Sequence, residues 1–364
     1  IKGTLAMKTA WLLLIAILAP VAAAEPYFAV KTGHSCATCH TNPSGGGMRN
    51  EFGNTWAQTE LPAQAFDASS SPLWKGTVFD RFAVGGDARA SGRQFEFEDR
   101  DDNLNFDVDR VTLYLSVEVN KHVRLYVDEQ VAPGGSSNRE AWGQVSLGNW
   151  YVKAGKLFLP FGWRLEDDTA FVRQVSGINF ASGDNGVELG FNSKHWEFQL
   201  AATNGTAGTA EVDDGKQFSF VGAYLHNRWR IGASANSNNT DNGERTMYGV
   251  FGGLRTGPVS WLAEYDVIED EDLGPLPDSE QAVALVEANI NFLRGHNLKL
   301  TAEANTFEDD NDDQMEDRFR YSAVWEYFPW AFTQLRIGAR TSDSDDEDAA
   351  LNGDEVFVQA HIFF

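Results

Sequence analysis

Apolar and polar residues alternate along most of the chain. In RVTLYLSVEVN, Val111, Leu113, Leu115, Val117 and Val119 fall on one face, and Arg110, Thr112, Tyr114, Ser116, Glu118 and Asn120 on the other. HVRLYVDEQ repeats the pattern with Val123, Leu125 and Val127 against Arg124, Tyr126 and Asp128, and NLKLTAEANTF and RFRYSAVWEYF continue it. A period of two marks strands with one apolar and one polar face. Two architectures accept such strands. A soluble sandwich buries the apolar face between two sheets, whereas a closed barrel in lipid turns it outward and lines its lumen with the polar face.

The connections separate these two. Turn signals at 120–121, 148–149, 192–194, 226–228, 255–258, 293–296 and 328–330 are short. Between them lie long links at 91–105, 131–140, 159–184, 203–216, 236–245, 268–280, 307–316 and 341–355. Strict alternation of short and long connections belongs to bacterial outer-membrane barrels, with short periplasmic turns and long extracellular loops. The elements between them number about sixteen, an even count that leaves both barrel ends periplasmic. Trp150, Trp196, Trp229, Phe292, Phe328 and Trp330 stand beside the short turns, as an interfacial aromatic girdle requires. The terminal EVFVQAHIFF alternates and closes on Phe364, resembling the last-strand signal of such barrels without the glycine that signal often carries. The expected fold is therefore all-β: a transmembrane antiparallel β-barrel of about sixteen strands over residues 76–364. The competing reading is a soluble β-protein, which membrane fractionation would test.

The N-terminus changes the picture. MKTAWLLLIAILAPVAAAEP, from Met7, has a basic residue, an apolar stretch and a run of alanines ending at Ala24. This is a secretory signal peptide over residues 1–24, with 1–6 an over-extended leader, and it places the mature chain outside the cytoplasm. The formal net charge of -24 argues against nucleic acid or anionic lipid as a partner. Much of it sits in the runs EDRDD, IEDED, FEDDNDDQMED and SDSDDEDA, all in expected extracellular loops. Their carboxylates either collect divalent ions such as ferrous iron or simply form a solvated surface. None has EF-hand spacing.

Between signal and barrel lies a segment, 25–75, of about fifty residues, marginal for an independent core. Its GHSCATCHTN holds both cysteines of the chain in a C-x-x-C-H motif, Cys36, Cys39 and His40. In an exported protein this spacing attaches one haem c, with thioether bonds to the two cysteines and His40 on the iron. A disulfide, a structural metal site and a redox dithiol are the alternatives. Zinc lacks a second ligand pair nearby, and a dithiol lacks its βαβ context. The segment is expected to fill the lumen or its periplasmic mouth as a haem-binding plug. Gly45, Gly46 and Gly47 either let backbone approach the flat ring or form a flexible linker. For the sixth iron ligand, Met48 is nearest in sequence, and His34, His122, His195, His226, His296 and His361 compete. Phe28, Phe52 and Trp56 are candidates to pack on the ring, and Arg49 to pair with a propionate. The expected inward residues include Arg110, Glu118, Arg124, Asp128, Arg228, Arg230, Lys299, Glu303, Arg318, Arg320, Glu326, Arg336 and Arg340, a polar lumen that any channel would share.

A signal peptide, one C-x-x-C-H near the mature N-terminus and a barrel of porin size together resemble the fused monohaem cytochrome–porins of bacterial outer membranes, a family that includes cytochromes implicated in extracellular iron oxidation. GHSCATCHTNPSGGGMRNEFG is similar to that group's haem segment, and GKLFLPFGW (155–163) to a phrase of phosphate-selective-type porins. Only the haem segment is specific. The resemblance implies electron transfer across the outer membrane between a periplasmic carrier, such as a soluble cytochrome c, and an extracellular donor or acceptor such as iron. It carries over to Cys36, Cys39 and His40 and to no sixth ligand. The alternative function is a diffusion porin with a structural haem plug.

Overall fold

The computed structural model describes residues 25–67, 69, 72–97, 101–241, 243–272, 277–309, 312–344 and 352–364. The signal-peptide assignment and the tips of several acidic links lie outside these residues. Sixteen long strands, from β2 (Phe82–Phe97) to β17 (Gly353–Phe363), follow one another antiparallel around a ring. The ring closes where β17 pairs with β2, from Gly353↔Phe97 to Phe363↔Asp87. A three-residue strand, β1 (Thr77–Phe79), pairs with the start of β2. The closed ring leaves the wall without an open edge, the condition for spanning hydrocarbon with strands.

The alternation sets the faces as expected. Leu113 is 51% exposed while Thr112 is fully buried, and Val187 is 51% exposed beside fully buried Glu188. The exposed side is the outer wall, an apolar band, and the buried side faces the lumen. Trp150, Trp196, Trp229, Phe292 and Trp330 are exposed near the short-turn end. Phe328, assigned to the same girdle, instead turns inward against Ala57, Leu61 and Phe363. Its carbonyl accepts the Ala63 N–H, which draws that turn toward the plug.

Seven connections at one end span only 119–122, 148–149, 193–195, 227–228, 257–258, 294–295 and 328–332. At the other end the strands run further than their composition predicts. The expected link 236–245 is almost wholly paired strand, with Ser237↔Thr246, Asn238↔Arg245 and Thr240↔Gly243 in register. Ladder bonds use the backbone, so Asn- and Asp-rich stretches above the apolar band extend the wall.

One long connection, 158–183, behaves differently. It folds into the lumen, where Phe158, Phe161, Trp163, Leu165, Phe171 and Phe180 are buried. They form one apolar cluster with lumen-facing Leu225, Met247, Phe251, Leu262, Val283 and Leu285 of the wall and with Tyr27 and Val30 of the N-terminal segment. The expected uniformly polar lumen is thus corrected. One wall is apolar because it packs against an inserted loop and plug rather than water.

Candidate functional site

The N-terminal segment is built from three short helices. Helix α1 (Pro26–Thr32) starts with Pro26 in its first turn and ends on Gly33, whose φ of 73° suits a left-handed cap. A Cβ on Gly33 would lie 2.8 Å from the carbonyl of Asn227 in a short turn. Helix α2 is Cys36–Cys39 and helix α3 is Glu51–Thr59. Asn50 joins the latter two. Its side-chain carbonyl accepts the Gly53 N–H at 3.0 Å, capping α3. Its amide donates to the carbonyls of Thr38 and His40 at 3.1 and 3.2 Å. Sequence reasoning passed over Asn50, although its place before a helical run is an N-cap signal.

The segment is fixed inside the short-turn end of the barrel. Glu25 pairs with Lys299 at 3.0 Å, and the Tyr27 hydroxyl donates to Glu326 at 2.9 Å. Fully buried Asn42 donates to Glu140 at 3.0 Å and accepts from Lys153 at 3.1 Å. The Ala63 N–H reaches Phe328. These are contacts to inward residues of strands and to short turns.

Cys36 and Cys39 stand three residues apart on α2, one helical turn, so both thiols share a side. They line, with His40, a cavity between plug, inserted loop and wall. Both thiols are free. Burial pushes the Cys36 thiol up to about 11 and raises Cys39 as well. Burial, with Arg49 second, pushes His40 down to about 4. The imidazole is neutral at pH 7, and its Nδ1 is buried with no hydrogen-bond partner among the described residues. No group of three His, Cys, Asp or Glu among the described residues is arranged to hold a bare metal ion.

The residues present fit a covalently held haem. The paired thiols supply the attachment points, His40 a neutral nitrogen, and Arg49, Arg164 and Arg230 cations around the same cavity. Phe28 and Trp56 line it, as do Phe161 and Trp163 of the inserted loop. Phe52 does not. It is exposed beside His34, with ring centroids 5.6 Å apart. The three glycines are packed, not a free linker. All have positive φ, and a Cβ would meet Cys36 at Gly45, Arg164 at Gly46 and the Tyr126 hydroxyl at Gly47, the last two within 2.5 Å.

Met48 is not brought to the cavity. It is buried among Tyr114, Tyr126, Trp142 and Leu157, and its N–H donates to the Tyr126 hydroxyl at 3.1 Å. His361 is buried and bonded to Asp87. His122 and His195 lie in short turns, and His226 and His296 stand at strand ends beside them. Of the competing histidines only His34 lines the cavity, on the same strand of chain as Cys36.

The inserted loop, which sequence reasoning read as an extracellular link, forms the cavity's other boundary. Charged anchors hold it on several sides. Glu166 accepts from Arg89 and Arg110, each at 2.7 Å, and Arg340 pairs with Asp167. Arg164 pairs with Glu140 at 2.7 Å. Glu264 accepts the Trp163 N–H at 3.0 Å and Glu303 the Phe171 N–H at 2.7 Å.

No protein-family model matches the chain, and no curated protein matches it in sequence. Solved structures resemble it in fold. A loop-deletion mutant of the outer-membrane protein OmpT of Vibrio cholerae has a TM-score of 0.62 at 13% identity, covering 78% of this chain and 100% of its own. OmpF of Salmonella typhi in complex with daunomycin gives 0.60 at 11% identity, covering 78% and 97%. An anion-selective porin from Comamonas acidovorans gives 0.55 at 10% identity, covering 78% and 98%. At these identities the likeness establishes the fold: a porin-like closed barrel of sixteen antiparallel strands with a short N-terminal helical segment.

Proposed function

We propose that the chain is an outer-membrane c-type cytochrome–porin that carries electrons between a periplasmic carrier and an extracellular donor or acceptor such as iron. One observation carries the reading. The C-x-x-C-H helix opens into a cavity held between plug and inserted loop inside a barrel whose outer wall is an apolar band. Hydrocarbon blocks charge movement, and a polar-lined barrel lets a redox centre sit at membrane depth without exposing any peptide to lipid.

Haem c bound to Cys36 and Cys39 would supply a one-electron site. The chain's own residues do the rest. Asn50 locks the attachment helix to α3. His40 offers a neutral nitrogen. Arg49, Arg164 and Arg230 provide positive charge for acidic substituents. Phe158, Phe161, Trp163 and Phe251 exclude water from the opposite side. The extracellular iron species is substrate, not resident cofactor.

The second reading, a diffusion porin with a structural haem plug, draws on the porin-like fold. The apolar cluster crossing the lumen favours the first. Proteoliposomes separate them. With trapped ferricyanide and an impermeant external reductant, the electron carrier bleaches the trapped oxidant while retaining a trapped sugar. Loss of the sugar, or bleaching that survives Cys36→Ala/Cys39→Ala, contradicts the proposal.

A further inference from the structure

We infer that the short-turn mouth of the barrel is a docking face for the acidic surface of a soluble electron carrier, received in a cationic groove built by Lys31, Arg255 and Arg294. The inference rests on the electron-transfer reading above and specifies where, and with what charge, the partner meets this chain.

The first observation is the groove. It lies at the short-turn end, with Lys31, Arg255 and Arg294 in its lining and Glu60 as the lone carboxylate. Among the described residues, none of the three cations forms an ion pair with a carboxylate. Lys31 donates to the side-chain carbonyl of Asn291 at 2.6 Å. Arg255 donates to the Lys31 carbonyl at 2.6 Å. Arg294 donates to the carbonyls of Pro62, at 2.8 Å, and Thr59. Neutral acceptors orient a guanidinium or ammonium and leave its field pointing into the opening.

The second observation is independent of side-chain placement. The seven short turns contain Lys121, Lys194, Arg228 and Arg294 and not one Asp or Glu. The chain as a whole carries -24, and its acidic runs fall at the opposite end. The molecule is therefore strongly polarised along the barrel axis, and the mouth beside the plug is its basic pole. Such a field raises the arrival rate of an anionic partner by about 10- to 1000-fold and fades with ionic strength.

The third observation connects the groove to the site. Thr32, Trp56 and Leu61 line both the groove and the inner cavity that holds Cys36, Cys39 and His40. A partner seated in the groove is separated from the cavity by this thin wall, with an indole in it. Anionic lipid is the other source of negative charge at this leaflet. The cations here are turned onto the plug through Thr59, Pro62 and each other, toward the barrel axis rather than the lipid-facing rim, so the geometry selects a protein.

The test uses the full chain in detergent and two probes of one fold: mitochondrial cytochrome c, which is basic, and the same protein with its lysines succinylated. Association rates are followed by biolayer interferometry across an ionic-strength series. The succinylated probe is expected to associate with a rate that falls with salt. Lys31→Gln/Arg255→Gln/Arg294→Gln is expected to slow it by about tenfold at low salt and flatten the salt dependence, with heat-modifiable gel mobility and haem content unchanged. Binding of the basic probe to the acidic pole is expected to be unaffected by the triple change. An unaltered rate for the succinylated probe overturns the inference. So does a triple variant that loses only retention on phosphatidylglycerol vesicles, which would assign the cations to lipid. Haem content is read separately from the pyridine haemochrome spectrum. A preparation from cells competent in cytochrome c maturation that lacks haem yet still shows the charge-dependent association refutes the electron-transfer reading and leaves the docking face standing.

Discussion

Replacing Glu166 by Gln and Asp167 by Asn tests whether ion pairs hold the lumen shut. Glu166 accepts from two guanidinium groups, Arg89 and Arg110, each at 2.7 Å, and all three side chains are below 10% exposed. Asp167 pairs with Arg340. Burial alone would raise the Glu166 carboxyl, but Arg89 and Arg110 overcome it and hold the group below the ordinary carboxylate range. Asp167 is lowered in the same way by Arg340 and Arg320. Breaking a buried pair costs about 3–5 kcal/mol because a charge is left uncompensated. The remaining anchors, Glu264 to Trp163, Glu303 to Phe171 and Arg164 to Glu140, stay in place, so the barrel should fold. A loss of about 3 kcal/mol from the closed loop raises the open population by about a hundredfold. In planar bilayers the wild type should be silent, and the double variant should show discrete openings. The pH behaviour follows from the sign of the shifts. A carboxylate held low stabilises the fold above its unfolded value, about 4, and loses that only in stronger acid. The wild-type seal should therefore persist from pH 7 down to about pH 4. A folded double variant that stays silent, or a wild type that conducts at pH 7, refutes the idea that these pairs form the seal.

Three further expectations follow. Gly53→Ala places a Cβ 2.1 Å from the Cys39 carbonyl oxygen, an overpacking of about 1–3 kcal/mol, and should lower haem attachment on denaturing gels while the barrel still resists heat; normal attachment would show that α3 yields without disturbing α2. Met48→Ala opens a void among Tyr114, Tyr126 and Trp142 and should cost about 2–5 kcal/mol in urea unfolding without changing the visible or near-infrared spectrum; a lost sulfur-to-iron band would restore Met48 as the sixth ligand. Single cysteines at Asp278 or Asp354 should react with impermeant maleimide on whole cells and ones at Lys194 or Gly295 should not, the reverse pattern meaning an inverted barrel.

The strand count, the two faces and the short turns were legible because each depends on local alternation: Leu113 out and Thr112 in is written in the sequence. Three features were not. Strand ends past the apolar band, as at Asn238↔Arg245, are set by backbone pairing with a neighbour and leave no hydrophobic trace. The inserted loop has no period. Only its density of Phe, Trp and Leu between 158 and 180 marks it as buried rather than extracellular. The apolar wall it packs on has a signal in hindsight, since AVALVEANI is apolar on both faces, with Leu285 buried and Val286 exposed. Cys36, Cys39 and His40 were legible as a motif. Met48 was favoured by proximity in sequence, and the tight turn of Gly45–Gly47 carries it to the wall instead. Glu166 with Arg89 and Arg110, and His361 with Asp87, depend on register and closure across the whole chain.

The central claim is that a haem c is joined to Cys36 and Cys39 inside this barrel. The most direct measurement is haem per chain, from pyridine haemochrome and protein assay on the detergent-extracted, refoldable protein, with peroxidase staining of the same sample on a denaturing gel. The account predicts one haem per chain, retained through denaturation and lost in Cys36→Ala/Cys39→Ala. A folded wild type without haem from cells competent in cytochrome c maturation, or a stain that persists in the double variant, contradicts it.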